Sequence, residues 1–459
     1  MASIQAPVAA SPPKPRGTVR RPDAAVVTLT LLWAGAVAVL ALWWFQAQGE
    51  SGLNGWLNGA ATMAGMLAGY LCAVLVALMA RVPILENHVG SDRVARWHAM
   101  VGRYTIWLVI THVVLFIWAD SGGGRGGGGT LWDDIVGMVT RSTDMVYATI
   151  GTVAMLAVGF VSVRALRRRI RYETWYYLHL TTYAAIYLAF LHQVSMGHTV
   201  GGTIGARTAW YSLYLGATVL VLWYRVWIPV RTNLRHRLRV EAVTIEAPGV
   251  WSVFVRGQHL DELAPRPGQF FRWRFLAPHL RWASSPYSLS GAPASNILRI
   301  TVKDAGTHSA AIATLRPGTR VWAEGPYGAM TADRRRRNKV LLIAGGIGVT
   351  PLRTLFETLP ASPGDLTLLY RARRTEDLAL WQELSAIAES RDARLLSTVD
   401  AEDGTLAPLT ADVLRATVPD IQQHDVYLCG PPAMADAAWE ALRAAGVPGR
   451  HIHQESYSW

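Results

Sequence analysis

The sequence predicts a membrane-embedded six-helix bundle followed by an antiparallel β-barrel and an α/β domain. Three observations predict this order. Six apolar stretches of about twenty residues occupy the first half, and each could cross about 30 Å of hydrocarbon as a helix. Short strands separated by turn residues begin near residue 238. Strands that alternate with helices follow residue 338, which is typical of a parallel sheet.

The overall composition averages over two unlike halves. Of the 459 residues 51% are hydrophobic, but the long stretches with almost no charge are confined to the first half. The net charge is +12. Much of the excess lies in short loops between apolar stretches, which favours a membrane topology over nucleic-acid binding. Cys72 and Cys429 lie in different halves, so neither a disulfide nor a zinc or iron–sulfur centre is expected.

The first 23 residues are rich in Pro and Ala and are expected to form a disordered cytoplasmic tail. The apolar run that follows is about 22 residues long, too long for the core of a signal peptide, so we interpret it as a retained span. The sequence therefore predicts a helical domain over residues 24–230. Its predicted spans lie near 24–45, 57–80, 98–118, 145–163, 175–194 and 209–228.

The distribution of positive charge predicts the orientation of these spans. The N-terminal tail and the second and fourth connections carry twelve Lys and Arg residues, against three in the opposite-side connections. Because cytoplasmic loops are enriched in Lys and Arg, both termini of this integral cell-membrane protein are expected in the cytoplasm. The third connection contains the glycine run Ser121–Gly129, to which we assign no function.

Four histidines lie within the predicted spans and fall on only two of them. His98 and His112 are 14 residues apart on the third span, and His179 and His192 are 13 residues apart on the fifth. Each separation is about 20 Å along a helix, so the histidines predict facing pairs at two depths. Two stacked haems with histidine on both axial faces require such pairs. The alternative is polar residues buried in a bundle, although ionisable groups inside spans are costly.

The two separations differ in helical phase. At 100° per residue, 14 residues nearly restore the same helix face, whereas 13 leave His192 about 140° from His179. Either the fifth helix is distorted or the two haems lie at different angles. His198 lies just beyond the fifth span, where it could contact an acceptor or a metal or be a solvated loop residue.

The second half divides into two predicted domains, the barrel over residues 238–330 and the α/β domain over residues 338–459. The barrel strands are Leu238–Ile245, Trp251–Arg256, Gln269–Phe275, Leu298–Val302 and Arg320–Ala323. The α/β strands are Val340–Ala344, Leu366–Tyr370 and Val426–Leu428. The glycine-rich segment Gly345–Pro351 leads into a helix and would let the backbone approach a pyrophosphate, although an ordinary tight turn is the alternative.

Five short motifs follow one another in this half. They are Ser285–Ser290, Val302–Ser309, Gly325–Gly328, Gly345–Pro351 and Cys429–Pro431. Their order resembles the flavin and nicotinamide motifs of the ferredoxin–NADP reductase superfamily. Together with the histidine spacing, residues 24–459 resemble the ferric reductase and NADPH oxidase family.

The resemblance implies a set of FAD-binding residues. Tyr287 would pack on the flavin, and Ser288 would form a hydrogen bond near its reactive edge; for Tyr287 the alternative is barrel packing. The family usually has Arg or His where Ser285 stands, and Arg281 is the candidate replacement. Lys303 and Gly306–Ser309 would lie along the pyrophosphate. The set comprises Pro286, Tyr287, Ser288, Leu289, Val302, Lys303, Gly306, Thr307, His308 and Ser309.

The resemblance also implies residues for NADPH. Trp459 would cover the flavin until nicotinamide displaces it, and it joins Ser288 and Cys429 as a candidate catalytic residue; interface packing is its alternative role. The dinucleotide set comprises Gly345, Gly346, Gly348, Thr350, Pro351, Cys429, Gly430 and Pro431. Arg371, Arg373 and Arg374 follow the second strand, where cationic groups can pair with a 2′-phosphate. A solvated basic turn is the alternative there.

The family resemblance implies electron transfer from cytosolic NADPH through FAD and two haem b groups to an acceptor outside the membrane. Ferric iron is slightly favoured because the sequence shows no distinctive outer oxygen site. The alternatives are reduction of dioxygen to superoxide, a quinone, or a periplasmic redox partner. A haem-binding transporter or sensor without turnover is a further alternative, which the two nicotinamide motifs disfavour. No nucleic-acid partner is expected.

Overall fold

The computed structural model describes residues 24–46, 51–122, 131–167, 169–170, 172–195, 203–293, 296–399 and 409–456. Four features of the sequence analysis lie outside these described residues. They are the N-terminal tail, the glycine-rich residues 123–129, His198 and Trp459.

The first half is helical and apolar, as predicted. A π-helical turn, Leu85–Gly90, leads into α3, and another, Leu222–Trp227, joins α8 to α9 without a break. The helices are α1 Ala24–Gln46, α2 Gly52–Leu78, α3 Ser91–Gly122, α4 Leu131–Thr140, α5 Thr143–Val161, α6 Arg164–Arg167, α7 Tyr172–Ser195, α8 Ile204–Val221 and α9 Ile228–His236.

Within the described residues, five helical segments are long and apolar enough to cross a membrane. The predicted fifth span is not among them. It coincides with α7, which is 24 residues long but carries polar groups along its length, including His179, Thr181, His192 and Gln193. The five segments are Ala24–Phe45, Gly52–Leu78, Leu85–Asp120, Thr143–Val161 and Ile204–His236.

Small residues bring the helices that carry the histidines close to their neighbours. Helix α3 packs along α2, and α7 packs along α5. A side chain at Gly151 of α5 would place its Cβ 2.6 Å from the carbonyl oxygen of Ala185 on α7. Glycine at this position therefore allows the two backbones to approach closely, as small residues do where membrane helices pack.

The segment after α9 folds into two three-stranded antiparallel sheets, with strand orders β1-β2-β5 and β4-β3-β6. Isolated bridges between Arg239 and Arg320 and between Leu289 and Ile300 join the two sheets at both edges. The short helices α10 Leu260–Leu263 and α11 Thr307–Ile312 connect them. The strands are β1 Arg239–Ala247, β2 Val250–Arg256, β3 Phe270–Phe275, β4 Ser285–Ser288, β5 Ile297–Lys303 and β6 Val321–Tyr327.

The last segment is a five-stranded parallel sheet in the order β11-β10-β7-β8-β9. The central strand β7 lies between β10 and β8, so the loops that follow β7 and β10 are neighbours. The strands are β7 Lys339–Gly345, β8 Leu366–Ala372, β9 Arg394–Val399, β10 His424–Gly430 and β11 Ile452–Ser456. The helices are α12 Val349–Thr358, α13 Trp381–Arg391, α14 Ala411–Thr417 and α15 Pro432–Ala444.

The two halves meet at the helix ends that follow α2 and α9. Asn233 of α9 donates to the carbonyl of Ala323 on β6 and accepts from its N–H, both at 2.8 Å. The guanidinium of Arg81 lies 4.7 Å from the ring centre of Tyr327. Arg334 donates to the carbonyl of His88 at 2.6 Å. These contacts hold the β domain against one end of the helical region.

Candidate functional site

The four span histidines meet in two pairs. The ring centres of His98 and His179 are 5.9 Å apart with an interplanar angle of 71°, and those of His112 and His192 are 6.4 Å apart at 31°. Both α3 and α7 are continuous α-helices through these positions. The offset in helical phase therefore shows as different ring orientations in the two pairs and not as a break in α7.

The pair distances suit an iron between two imidazoles. With metal–nitrogen bonds of about 2 Å, imidazoles on opposite faces of one iron have ring centres roughly 6 Å apart. Within the described residues, the Nδ1 atoms of His98 and His192 are buried and have no hydrogen-bond partner. The donor set and its spacing thus fit two haems.

Neighbouring groups orient two of these rings. Nδ1 of His112 lies 2.7 Å from the carbonyl oxygen of Ala61, so a proton on Nδ1 leaves Nε2 as the free ligand atom. A Cβ at Gly65 would lie 2.7 Å from the same Nδ1, which shows how closely α2 covers this ring. Trp175 stacks on His179 with ring centres 5.1 Å apart. Sequence reasoning missed Trp175, although it stands four residues before His179 on one helix face.

The FAD-motif residues of the β domain fall into two groups. Leu289 and Val302 are fully buried core residues, and Ser288 is buried at the end of β4. Tyr287 packs beside the core, and burial raises the pKa of its hydroxyl to about 12. Lys303, Gly306 and Thr307 are exposed where β5 leads into α11. Ser309 closes this turn, because its hydroxyl accepts from the N–H of Ala305 and donates to the carbonyl of Gly306.

Arg272 forms hydrogen bonds with Ser284, the residue before Ser285, whereas the candidate replacement Arg281 has other surroundings. Arg272 pairs with Pro286 across the strands and donates to the Ser284 hydroxyl at 3.1 Å and to its carbonyl at 3.2 Å. Arg281 instead lies 5.7 Å from the ring centre of Trp282. A cavity of about 30 Å³ between the β domain and the helix ends is lined by Arg225, Arg272, Arg274, Tyr176, Tyr177 and Ser284, among others. The alternation in Phe270–Phe275, which places Arg272 and Arg274 on one face, could have revealed them.

The two nicotinamide motifs lie side by side at the carboxyl ends of β7 and β10. A Cβ at Gly348 would fall 2.3 Å from the carbonyl oxygen of Cys429. Glycine is therefore required for the loops to touch. The Cys429 side chain is fully buried in the core of the sheet, and Thr350 is buried with its hydroxyl donating to the carbonyl of Ile347 at 3.1 Å. With these side chains buried, the paired loops would contact a dinucleotide mainly through their backbone groups, beside the start of α12.

The three arginines at the end of β8 have different surroundings: Arg371 lies within the strand, and Arg373 and Arg374 follow it. Arg371 is buried, whereas Arg373 and Arg374 are exposed. Arg374 is engaged by Glu376 at 2.5 Å and lies 3.9 Å from Asp377. Within the described residues Arg373 has no ion-pair partner, which makes it the best placed of the three for an added phosphate.

An ion-pair cluster that sequence reasoning missed joins the β domain to the nucleotide domain. Arg299 of β5 donates to both carboxylate oxygens of Glu383 on α13, at 2.6 and 2.8 Å, and Arg353 donates to it at 2.9 Å. Burial alone would raise the pKa of Glu383, but the two arginines hold it below its usual value. The cluster fixes the two domains beside the paired glycine loops.

Two family models match separate parts of this chain. Residues 64–190 match the ferric reductase like transmembrane component, and residues 342–440 match the oxidoreductase NAD-binding domain. The first match contains His98, His112 and His179 and ends two residues before His192, and the second contains both nicotinamide motifs.

Curated relatives resemble only part of the chain. A flavohemoprotein of Xylella fastidiosa is 29% identical over 201 residues, which is 41% of this chain and 50% of that protein. Ferredoxin–NADP reductase B of Sorangium cellulosum is 28% identical over 224 residues, 46% of this chain and 88% of that protein. The chain thus spans about half the length of the flavohemoprotein that it matches.

A solved flavohemoglobin from Malassezia yamatoensis, with bound FAD and heme, is 16% identical, covers 87% of this chain and 96% of its own, and has a TM-score of 0.45. The two family models and the order of the motifs carry the assignment. The chain joins a part that matches the ferric reductase like transmembrane component to a part that matches the oxidoreductase NAD-binding domain.

Proposed function

We propose that this protein transfers electrons from cytosolic NADPH across the membrane to an outer acceptor, with FAD and two haem b groups as its bound redox groups. The observation that carries the proposal is the pair of facing histidine sets, with ring centres 5.9 and 6.4 Å apart, in a chain that also has an NAD-binding domain. A sensor or transporter needs no such domain.

The domain division follows from this proposal. Residues 24–230 form the six-span haem domain, with α7 as the fifth span, because α7 carries two of the four histidines between α5 and α8. Residues 238–330 form the FAD-binding β-barrel, and residues 338–459 bind NADPH. Both termini lie in the cytoplasm, as the distribution of Lys and Arg indicates.

The residues that hold the redox groups have distinct tasks. His98 and His179 hold the haem nearer the reductase domains, and His112 and His192 hold the outer one. This order is supported by Tyr177, two residues before His179, which donates to the carbonyl of Trp282 in the β domain at 3.2 Å. When bound, FAD accepts a hydride and releases single electrons, which is the form that haem iron can take.

The chain itself positions the reactants. Tyr287 and Ser288 hold the flavin ring, and Arg272 and Arg274 supply positive charge near position 285, which lacks the usual Arg or His. The glycines after β7 and β10 would let the protein backbone approach the pyrophosphate of the dinucleotide, with Cys429 behind them. Arg373 would pair with the 2′-phosphate. Trp459 lies outside the described residues, and its role at the flavin stays a prediction.

Ferric iron is the proposed acceptor, on the basis of the sequence analysis, and dioxygen is the alternative. Purified protein supplied with FAD and NADPH should show haem reduction under anaerobic conditions. Ferric chelate should then reoxidise the haem faster than dioxygen does, with little superoxide. Haem that stays oxidised would contradict electron transfer altogether. Fast, stoichiometric superoxide production would replace iron with dioxygen as the acceptor.

A further inference from the structure

An open groove lies where the last long helix leaves the region of the spans and meets the β domain. Its volume is about 520 Å³. It lies between the last two turns of that helix and the loop before α10. Its lining includes Trp227, Arg231, Leu234, Arg235, Arg237 and His259.

The groove begins at the depth of a membrane surface. The helix from Ile204 to His236 has 33 residues, or about 50 Å, while the hydrocarbon core takes up about 30 Å. A span that begins at Ile204 therefore ends near Trp223. Trp223 and Trp227 then lie at the membrane–water interface, where Trp and Tyr are enriched. Arg231 follows one turn later, about 6 Å further on, which is the depth of lipid phosphates.

The groove combines apolar and positive surface. Trp223, Trp227 and Leu234 are 50%, 52% and 67% exposed and, with Val230, recur at helical spacing along one face. This stripe runs from the span into the groove. Arg235 is neutralised by Glu262, at 2.5 Å from Nε to Oε2. Within the described part of the chain, the guanidinium groups of Arg231 and Arg237 have no acidic partner.

The groove has a fixed backbone shape. Arg237 has φ 47° and His259 has φ 52°, left-handed conformations that residues other than glycine hold only where the surrounding structure determines them. Both residues line the groove. Its two sides are also tied together, because His236 Nδ1 lies 2.8 Å from the carbonyl oxygen of Gln258.

From these observations we infer that the groove binds the headgroup of one anionic glycerophospholipid of the inner leaflet. Arg231 and Arg237 bind its phosphate, and the stripe from Trp223 to Leu234 contacts its glycerol and upper acyl chain. An anionic lipid matches the charge, the depth and the continuity of the apolar stripe with the span. The inference rests on the membrane topology of the proposed function.

The test uses the full-length protein with its cofactors in detergent and phosphatidylglycerol as the probe, with binding measured by native mass spectrometry. The Arg231→Gln/Arg237→Gln variant should bind phosphatidylglycerol about 25-fold more weakly, roughly five-fold for each guanidinium. Arg394→Gln/Arg415→Gln, which removes two exposed charges from the nucleotide domain, is the matched control and should bind as wild type does. Leu234→Asn keeps both charges and should weaken binding several-fold.

Four outcomes would overturn the inference. They are equal binding of phosphatidylcholine, full displacement by inorganic phosphate, an equal loss in the Arg394→Gln/Arg415→Gln control, and a dimer mass that competes with lipid. Unchanged cofactor absorbance and elution volume establish that each variant is folded. Wild-type protein that reduces its haem but binds no phosphatidylglycerol contradicts only this inference, since neither arginine contacts the residues assigned to the redox groups. Failure of haem reduction with lipid binding intact contradicts only the proposed function.

Discussion

At the scale of single residues, the two histidine pairs are the most specific indication of haem binding. Each pair is formed by one residue from α3 and one from α7. Loss of one member should therefore affect one haem and leave the other in place.

Replacing His112 with Leu should remove the outer haem and lower the haem content from two per chain to one. The reason is that an axial ligand cannot be supplied by leucine, whereas His98 and His179 are untouched. Haem content is measured by pyridine haemochrome absorbance against protein concentration. His88→Leu, at an exposed histidine, is the control and should retain both. A ratio that stays near two in His112→Leu would contradict the assignment of this pair.

Arg373→Ser should weaken NADPH binding roughly ten-fold while NADH binding changes little. The exposed guanidinium of Arg373 would lose a charge-assisted bond that only the 2′-phosphate can accept. Arg374→Ser should have a smaller effect, because Glu376 already engages Arg374 at 2.5 Å. The measurement is the Kd of each nucleotide for both variants. Equal losses for NADPH and NADH would show that these arginines only stabilise the turn.

At the scale of elements, the two nicotinamide loops depend on each other. Gly348→Ala would drive a Cβ to 2.3 Å from the carbonyl oxygen of Cys429, and this neighbour is backbone that cannot swing away. The loops must separate, so nicotinamide affinity should fall by about ten-fold or more while FAD content stays the same. Gly449→Ala, whose Cβ would meet only ordinary contacts beyond 3.6 Å, is the matched control. The measurement is a titration with NADPH that gives the affinity of each variant for the nucleotide.

The sequence predicts most elements, and the exceptions have physical reasons. The edge strands β9 and β11 were not predicted, because Arg394–Val399 and Ile452–Ser456 lack a long apolar run and become strands only by pairing with β8 and β10. Arg272 was missed because its proximity to Ser284 depends on the register of β3 and β4. The histidine spacing predicts facing pairs, but not the different angles of the rings. The residues assigned to FAD and NADPH stay predictions.

At the scale of the whole molecule, a buried acid lies where the halves meet. The Glu455 side chain reaches Gly328, and within the described residues its Oε2 is buried without a hydrogen-bond partner. Burial, followed by the nearby carboxylates of Asp92 and Glu86, raises its pKa to about 8 against the opposing effect of Arg334. At neutral pH the folded protein therefore holds Glu455 protonated.

This pKa sets the sign of a pH dependence. The unfolded chain ionises Glu455 near pH 4.5, whereas the folded chain does so near 8, so the folded state loses stability as pH rises through that window. At about 1.36 kcal/mol per pKa unit, the loss is at most roughly 5 kcal/mol. Glu455→Gln should remove it, with a higher Tm than wild type at pH 8.5 and a similar Tm at pH 5. Parallel Tm curves for the two proteins would contradict a raised pKa.

The unbroken helix from Ile204 to His236 has a mechanical consequence. The Asn233 side chain forms hydrogen bonds with both backbone groups of Ala323. Any rotation of this helix about its axis therefore rotates the β domain with it. One residue inserted after Trp227 would rotate the attached domain by about 100°, which would carry the flavin motifs away from Tyr177. An insertion of seven residues would restore the orientation of the domain about the helix axis to within about 20° and would move the domain about 10 Å further along that axis. Exchange of reductase halves between related chains would thus have to respect helical phase rather than sequence similarity at the joint.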